Sequence, residues 1–233
     1  MLQLAERHFN YFKNMPHDLH WPSISASKWG NGFLREDGLP RIALNRHQLT
    51  KFCSEPGNTD EACYIACMAW GGMRRNHGKT SWEMREVWKP IVAHLRTGAT
   101  TRIEAYRDFN SAKIVGLGPA YFTKLIFFLR PELKGYILDQ WTAKSISILF
   151  KQRFIDIQGD NRKKRHHVTR SNDAQIYDRY CSAVETLANE LKKIAGKEDA
   201  SGDMVERMLF SLGGKSSKGA WRSYVIQHWS QDR

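Results

Sequence analysis

The sequence predicts an all-α protein, and three observations carry that reading. Apolar residues recur at three- and four-residue steps through most of the chain. The segments with that period open on Asn, Ser, Thr or Asp and close on glycines. Strand-like alternation is sparse. With 233 residues, 12% aromatic and 26% charged, the chain is long enough to bury a sizeable core and short enough for one domain or two small lobes.

Residues 1–15 read as a short amphipathic helix with Leu4, Phe9 and Phe12 toward the core. In 16–45, Pro16, Pro22, Pro40, Gly30, Gly32 and Gly38 break any long helix. A loop of that length needs apolar anchors to stay ordered, and Trp21 and Trp29 supply them. A short helix begins near Asn45, with Leu49 and Phe52 apolar. Thr59 caps a helix over 60–70, whose Asp60 and Glu61 suit a positive first turn. That helix is apolar nearly all round, the mark of a buried one, and Gly71 and Gly72 end it. Residues 72–79 then read as a polar loop. Ser81 caps a helix on which Met84, Val87, Trp88, Ile91, Val92 and Leu95 recur, with a kink at Pro90. Gly98 stops it, and Thr100 or Thr101 caps a short helix through Phe109.

Beyond a helix at 141–150, residues 151–170 hold seven Lys or Arg against two Asp. Such density predicts disorder when no polyanion is bound. A long helix starts at 171–173 and runs through Ile194, with Ile176, Tyr180, Val184, Leu187 and Leu191 as its stripe. Another covers 203–212, stopped by Gly213 and Gly214. Trp221, Tyr224, Val225 and Trp229 make a last segment whose type the pattern leaves open.

Lys and Arg total 36 against 24 Asp and Glu, a net charge of +12. That imbalance fits a polyanionic partner, though charge alone also fits a basic protein without one. Cys53, Cys63, Cys67 and Cys181 form no CxxC pair and no Cys/His zinc spacing, so neither metal nor cofactor is expected. No run reaches the roughly 18 apolar residues that span a bilayer, and the N-terminus has no signal-peptide core. A cytoplasmic, nucleoid-associated monomer is the expectation.

The stretch 113–141 organises the rest. Gly116 and Gly118, two apart, permit a tight hairpin and let the backbone approach another surface closely. Pro119 falls where a helix starts. From 120 to 129, Phe122, Leu125, Ile126 and Leu129 recur at helical steps. The turn therefore presents backbone N–H groups at the positive end of a helix, which suits a phosphate. Asp139 follows the apolar run Tyr136-Ile137-Leu138.

These residues resemble the helix-hairpin-helix DNA glycosylases (the HhH-GPD superfamily), closest in flavour to bacterial 8-oxoguanine DNA glycosylase-like proteins. Many members carry Leu-Pro-Gly-(Val/Ile)-Gly, then a Lys, Ser or Trp, then Val-Asp-(Thr/Val)-His. Here Gly116-Leu117-Gly118 takes the hairpin role and Leu138-Asp139-Gln140-Trp141 the aspartate role. The motif match covers residues 113–150. Two positions depart from the pattern. Ala120 occupies the position of the family's catalytic lysine, nineteen residues before Asp139, and Trp141 replaces the histidine.

The resemblance implies a two-lobed helical bundle with an active-site cleft between lobes: lobe A over 60–150, with the hairpin unit at 101–129, lobe B over 1–59 plus 171–233, and a basic insertion at 151–170. It implies a partner, double-stranded DNA containing a modified base, and hydrolysis of that base's N-glycosidic bond. Oxidised guanine is the implied substrate, with a hypermodified base of viral DNA as the other. Lys113, Gly116, Leu117 and Gly118 would grip DNA. Arg74, Arg75, Asn76, His77 and Lys79 would meet it at the flipped base, with Asn76 filling the gap. Arg162, Lys163, Lys164 and Arg165 would track phosphate. Trp70, Tyr121 and Trp141 are base-pocket candidates, with Trp221 and Trp229 behind them. Some relatives carry a four-cysteine iron–sulfur cluster near the C-terminus, and the cysteine-free stretch 208–233 implies none here.

Breaking a base–sugar bond builds positive charge on the sugar, and a carboxylate beside C1′ stabilises it and orients or deprotonates water. Asp139 suits that work and equally suits an N-cap. Lys124 lies one turn below Ala120 on the same face, and helix side chains lean toward the N-terminus. It stands either as the nucleophile of a bifunctional glycosylase/lyase or as a phosphate contact. A non-catalytic hairpin module that only binds DNA is the reading from another class.

Overall fold

The computed structural model describes residues 3–15, 17, 21, 23–31, 38–160, 165–211 and 220–231. Helix accounts for 63% of it, in twelve α-helices with one two-stranded hairpin among the described residues. The all-α expectation holds. No described helix is long and apolar enough to cross a membrane. The chain divides into a central unit, Pro22–Gly135, and a terminal unit made of Met1–Trp21 and Tyr136–Arg233.

The terminal unit opens with α1 (Glu6–Asn14). The central unit holds α2 (Ala26–Gly30), α3 (Arg46–Ser54), α4 (Asp60–Trp70), α5 (Arg75–Glu83), α6 (Arg85–Thr97), α7 (Arg102–Ser111) and α8 (Pro119–Leu129). Local chemistry starts most of these. Asn45 and Gln48 form a capping box on α3, Thr101 and Glu104 form one on α7, and the Thr59 hydroxyl accepts from the Ala62 N–H of α4. Every residue of α4 from Ala62 to Trp70 is buried, and α4 packs on α2, α3, α6 and α8. Helix α8 is buried from Phe122 to Leu129, and Phe122 stacks on Phe109 of α7 with ring centroids 5.6 Å apart. Trp29 fills its anchoring role: it is buried, and its indole N–H donates to the Met73 carbonyl at 2.7 Å.

One expectation fails here. Residues 75–83 form α5 rather than a polar loop, and Ser81 lies buried inside it instead of capping the next helix. The Ser81 hydroxyl donates to the Gly78 carbonyl and accepts from the Tyr64 hydroxyl at 2.7 Å. The segment has no apolar stripe, so its helix depends on a long-range contact with α4 that periodicity does not report.

In the terminal unit, α9 (Gln140–Leu149) is buried from Thr142 to Leu149. Strands β1 (Ile157–Asp160) and β2 (Arg165–Val168) follow, then α10 (Ala174–Lys192), α11 (Gly202–Phe210) and α12 (Ala220–Gln231). Helices α1, α10, α11 and α12 all pack on α9. The Ser145 hydroxyl donates to the Leu209 carbonyl at 2.9 Å and accepts from the Trp221 indole at 3.0 Å, locking α11 and α12 to α9. On α1, Phe12 is buried as expected, but His8 rather than Phe9 faces inward and bonds the Tyr224 hydroxyl at 2.8 Å.

The expectation of disorder across 151–170 is corrected in part. Strands β1 and β2 pair antiparallel, Ile157 opposite Val168 and Asp160 opposite Arg165. A side-chain brace holds their root: Asp156 accepts from the Thr169 and Ser171 hydroxyls at 2.5 and 2.6 Å, and Asn172 bonds both the N–H and the carbonyl of Asp156. Those hydroxyls, the largest influence, hold the Asp156 carboxyl below its ordinary value. Arg162, Lys163, Lys164 and the Arg165 side chain lie outside the described residues.

Gly202, at the start of α11, faces Tyr136: an added Cβ would lie 1.9 Å from the Tyr136 hydroxyl. Because Tyr136 is itself buried, Gly202→Ala is expected to destabilise the chain by about 1–3 kcal/mol, read as a lower urea midpoint.

Candidate functional site

In the terminal unit the site is built around Asp139. It caps α9: its Oδ1 accepts from the backbone N–H groups of Trp141 at 2.7 Å and Thr142 at 3.0 Å, and the Thr142 hydroxyl completes the capping box on the Asp139 N–H at 3.0 Å. Its Oδ2 accepts no hydrogen bond from a described residue, and the residue is half-buried. The approach to Asp139 is also fixed. Residues 136–138 are buried. The Tyr177 hydroxyl of α10 donates to the Tyr136 carbonyl at 3.0 Å, and that of Tyr180 donates to the Ile137 carbonyl at 2.7 Å. Burial pushes the Tyr180 phenol well up, which keeps it a donor.

Beside the acid stands Trp141, half-buried under two cations. The Arg222 guanidinium lies 4.5 Å from its ring centroid and the Lys144 ammonium 4.9 Å. Arg222 is buried, its Nη2 donates to the Phe210 carbonyl at 2.8 Å, and it also lies over the Phe210 ring at 4.7 Å. Burial pushes its guanidinium below the ordinary value, with the Asp139 charge opposing. On the segments that carry these residues, three enclosed polar atoms have no hydrogen-bond partner among the described residues: Gln140 Oε1, Ser211 Oγ and Arg222 Nε. Buried atoms left in that state are rare in folded proteins, and a bound ligand is one thing that satisfies them.

In the central unit, residues 112–118 join α7 to α8. Gly116 has φ +83°, and a Cβ on it would lie 2.5 Å from the His77 carbonyl, so hairpin and α5 touch there. Gly118 has ordinary φ and open space where a Cβ would go. No described side chain caps α8, and Pro119 is its first residue. Lys113 is exposed at φ 47°, Leu117 is fully buried, and Val115 is exposed. Tyr121 meets the Arg74 backbone, and burial pushes its phenol up against the opposing pull of Arg74. Arg74, Arg75, Asn76 and Lys79 are exposed. Thus Arg74, His77, Gly116 and Tyr121 are brought together.

Lys124 is buried and turns back along α8, its Nζ donating to the Ala120 carbonyl. It therefore reaches the backbone of the position where the resembled pattern has its lysine. Its stem lies over Gly71, where a Cβ would sit 2.7 Å from Lys124 Cδ, and its ammonium is 5.3 Å from the Tyr121 ring. Trp70 is buried in the central core, edge-on to Phe128 at 4.8 Å.

Sequence reasoning missed Tyr177 and Arg222 and took Tyr180 only as core. The available signal was weak: two tyrosines three apart on one helix, and an arginine directly after a tryptophan.

One family model matches the chain, over residues 17–210, and the class it names is the DNA glycosylases. The family is the one described as "Putative 8-oxoguanine DNA glycosylase OGG-like protein", and the chain belongs to it. No curated protein and no solved structure matches.

Proposed function

We propose that the chain is a DNA glycosylase that turns a modified base out of duplex DNA and hydrolyses its N-glycosidic bond. The observation that carries this reading is Asp139, in a chain of this family: one carboxylate oxygen is fixed by the α9 cap and the other is uncommitted. As the C1′–N bond breaks, its electron pair leaves with the base and the sugar becomes cationic. The fixed carboxylate stabilises that cation and takes a proton from the water that adds to C1′. Arg222 over the Trp141 ring, with its Nε and the Gln140 and Ser211 oxygens lacking partners among the described residues, supports a base pocket in which ring stacking and edge hydrogen bonds read the extruded base. Oxidised guanine is the first substrate to test. Gly118, open to approach, and the uncapped start of α8 support a grip on phosphate, together with Lys113 and the exposed Arg74, Arg75 and Lys79. In this reading Asn76, exposed on the first turn of α5, fills the space the base leaves.

Hydrolysis without strand cleavage is the preferred outcome. Ala120 offers no amine, and Lys124 Nζ is turned back as a donor to the Ala120 carbonyl. A panel of duplexes, each with one modified base, scored for free base and for nicking, tests the proposal. Free base without nicks is expected, and no borohydride-trapped adduct. An adduct that disappears in Lys124→Ala would instead establish lyase chemistry. No base released from any duplex, with binding intact, would leave a DNA-binding module.

A further inference from the structure

At the far end of α9 from Asp139 lies a cavity of about 330 Å³, lined by Ser147, Ile148, Lys151, Arg153 and Trp229. Its described lining is one-sided, with two cations and, among the described residues, no carboxylate. Arg153 lies over the Trp229 ring at 4.3 Å and donates from Nη2 to the Trp229 carbonyl at 2.8 Å, so its guanidinium is held in place. Lys144 adds a third cation, 5.8 Å from the same ring. The Ser147 hydroxyl donates to the Ala143 carbonyl.

A second observation concerns the backbone. Helix α9 ends in a Schellman turn: the Gln152 N–H donates to the Ser147 carbonyl at 3.0 Å and the Lys151 N–H to the Ile148 carbonyl at 3.3 Å. The residue this turn forces into the left-handed region is normally glycine. Here it is Lys151, at φ 46°. A strained cation on the rim of a cavity that Arg153 also lines implies a use for its charge beyond closing the helix.

We infer that this cavity holds a backbone phosphate of the bound DNA, with Lys151 and Arg153 as its donors. The assignment rests on the proposal that the chain grips DNA. It adds a contact about 18 Å along the axis of α9 from the acid. The cavity exceeds a lone phosphate, leaving room for the attached sugar against Ile148 and Trp229.

The test uses the full chain and a fluorescent, undamaged duplex. Lys151→Gln removes the charge and keeps the backbone strain, whereas Lys151→Gly removes both. Both are expected to weaken binding about five- to tenfold and to reduce the slope of log affinity against log salt by about one. Lys151→Gly is expected to leave the unfolding midpoint unchanged or raised, which separates lost contact from lost fold. Unchanged affinity and slope in both variants would overturn the inference. So would inorganic phosphate stabilising the wild type but neither variant while duplex binding stays the same, since the site would then serve a free anion. Absence of base release bears on the glycosylase reading and leaves these binding readouts intact.

Discussion

Asp139→Asn is expected to lower base release by about 10²–10⁴-fold while leaving duplex affinity and stability almost unchanged. The separation follows from the two jobs of the residue. Asn is as good a helix cap as Asp, so its side-chain oxygen keeps the bonds to the Trp141 and Thr142 N–H groups, and α9 starts where it did. What disappears is the negative charge and the ability to take a proton. Asp139→Ala gives the contrast, because it removes cap and charge together and is expected to lose about 1 kcal/mol of stability as well. Single-turnover base release, run beside thermal unfolding, measures both. An Asn variant that releases base at the wild-type rate would end the catalytic assignment.

The second large effect separates two glycines that the motif treats alike. Gly116→Ala is expected to destabilise the chain by about 3 kcal/mol. The position combines φ +83° with a backbone carbonyl, that of His77, 2.5 Å from where the methyl would sit, and backbone cannot swing aside. Gly118→Ala meets no atom and has ordinary φ, so its stability is expected to stay within about 1 kcal/mol. If DNA lies against this turn, the added methyl obstructs phosphate, and affinity for undamaged duplex falls about tenfold. Urea unfolding and anisotropy titration of both variants check the pair. A Gly118→Ala chain that binds like wild type would remove Gly118 from the interface.

The same contrast shows what was legible in the sequence. Short-range chemistry was: Thr59 caps its helix as expected, Thr101 is the cap of the two threonines offered, the helix expected near Asn45 is capped by it, Asp139 fills the cap it suited, and α4 and α8 are buried as their composition requires. Long-range chemistry was not. Helix α5 has no apolar period, and its small residues Gly78 and Ser81 are buried, Ser81 bonded to Tyr64 of another helix. The strands β1 and β2 carry charge where strands usually carry apolar residues, and the Asp156 brace ties together groups up to sixteen positions apart. Around the acid, the cap was readable, but Tyr177, Tyr180 and Arg222 arrive from α10 and α12, and nothing near Asp139 in the sequence announces them.

Helix α9 has a consequence of its own. It is buried along nearly all its length and clamped by four helices and strand β2, so it is among the least deformable parts of the terminal unit. The Asp139 carboxylate at one end and the hollow of Lys151 and Arg153 at the other are then held at a constant offset. If the chain grips DNA as proposed, the helix acts as a caliper, and the register between the extruded nucleotide and a phosphate held at the hollow is set by the count of residues between Asp139 and Lys151.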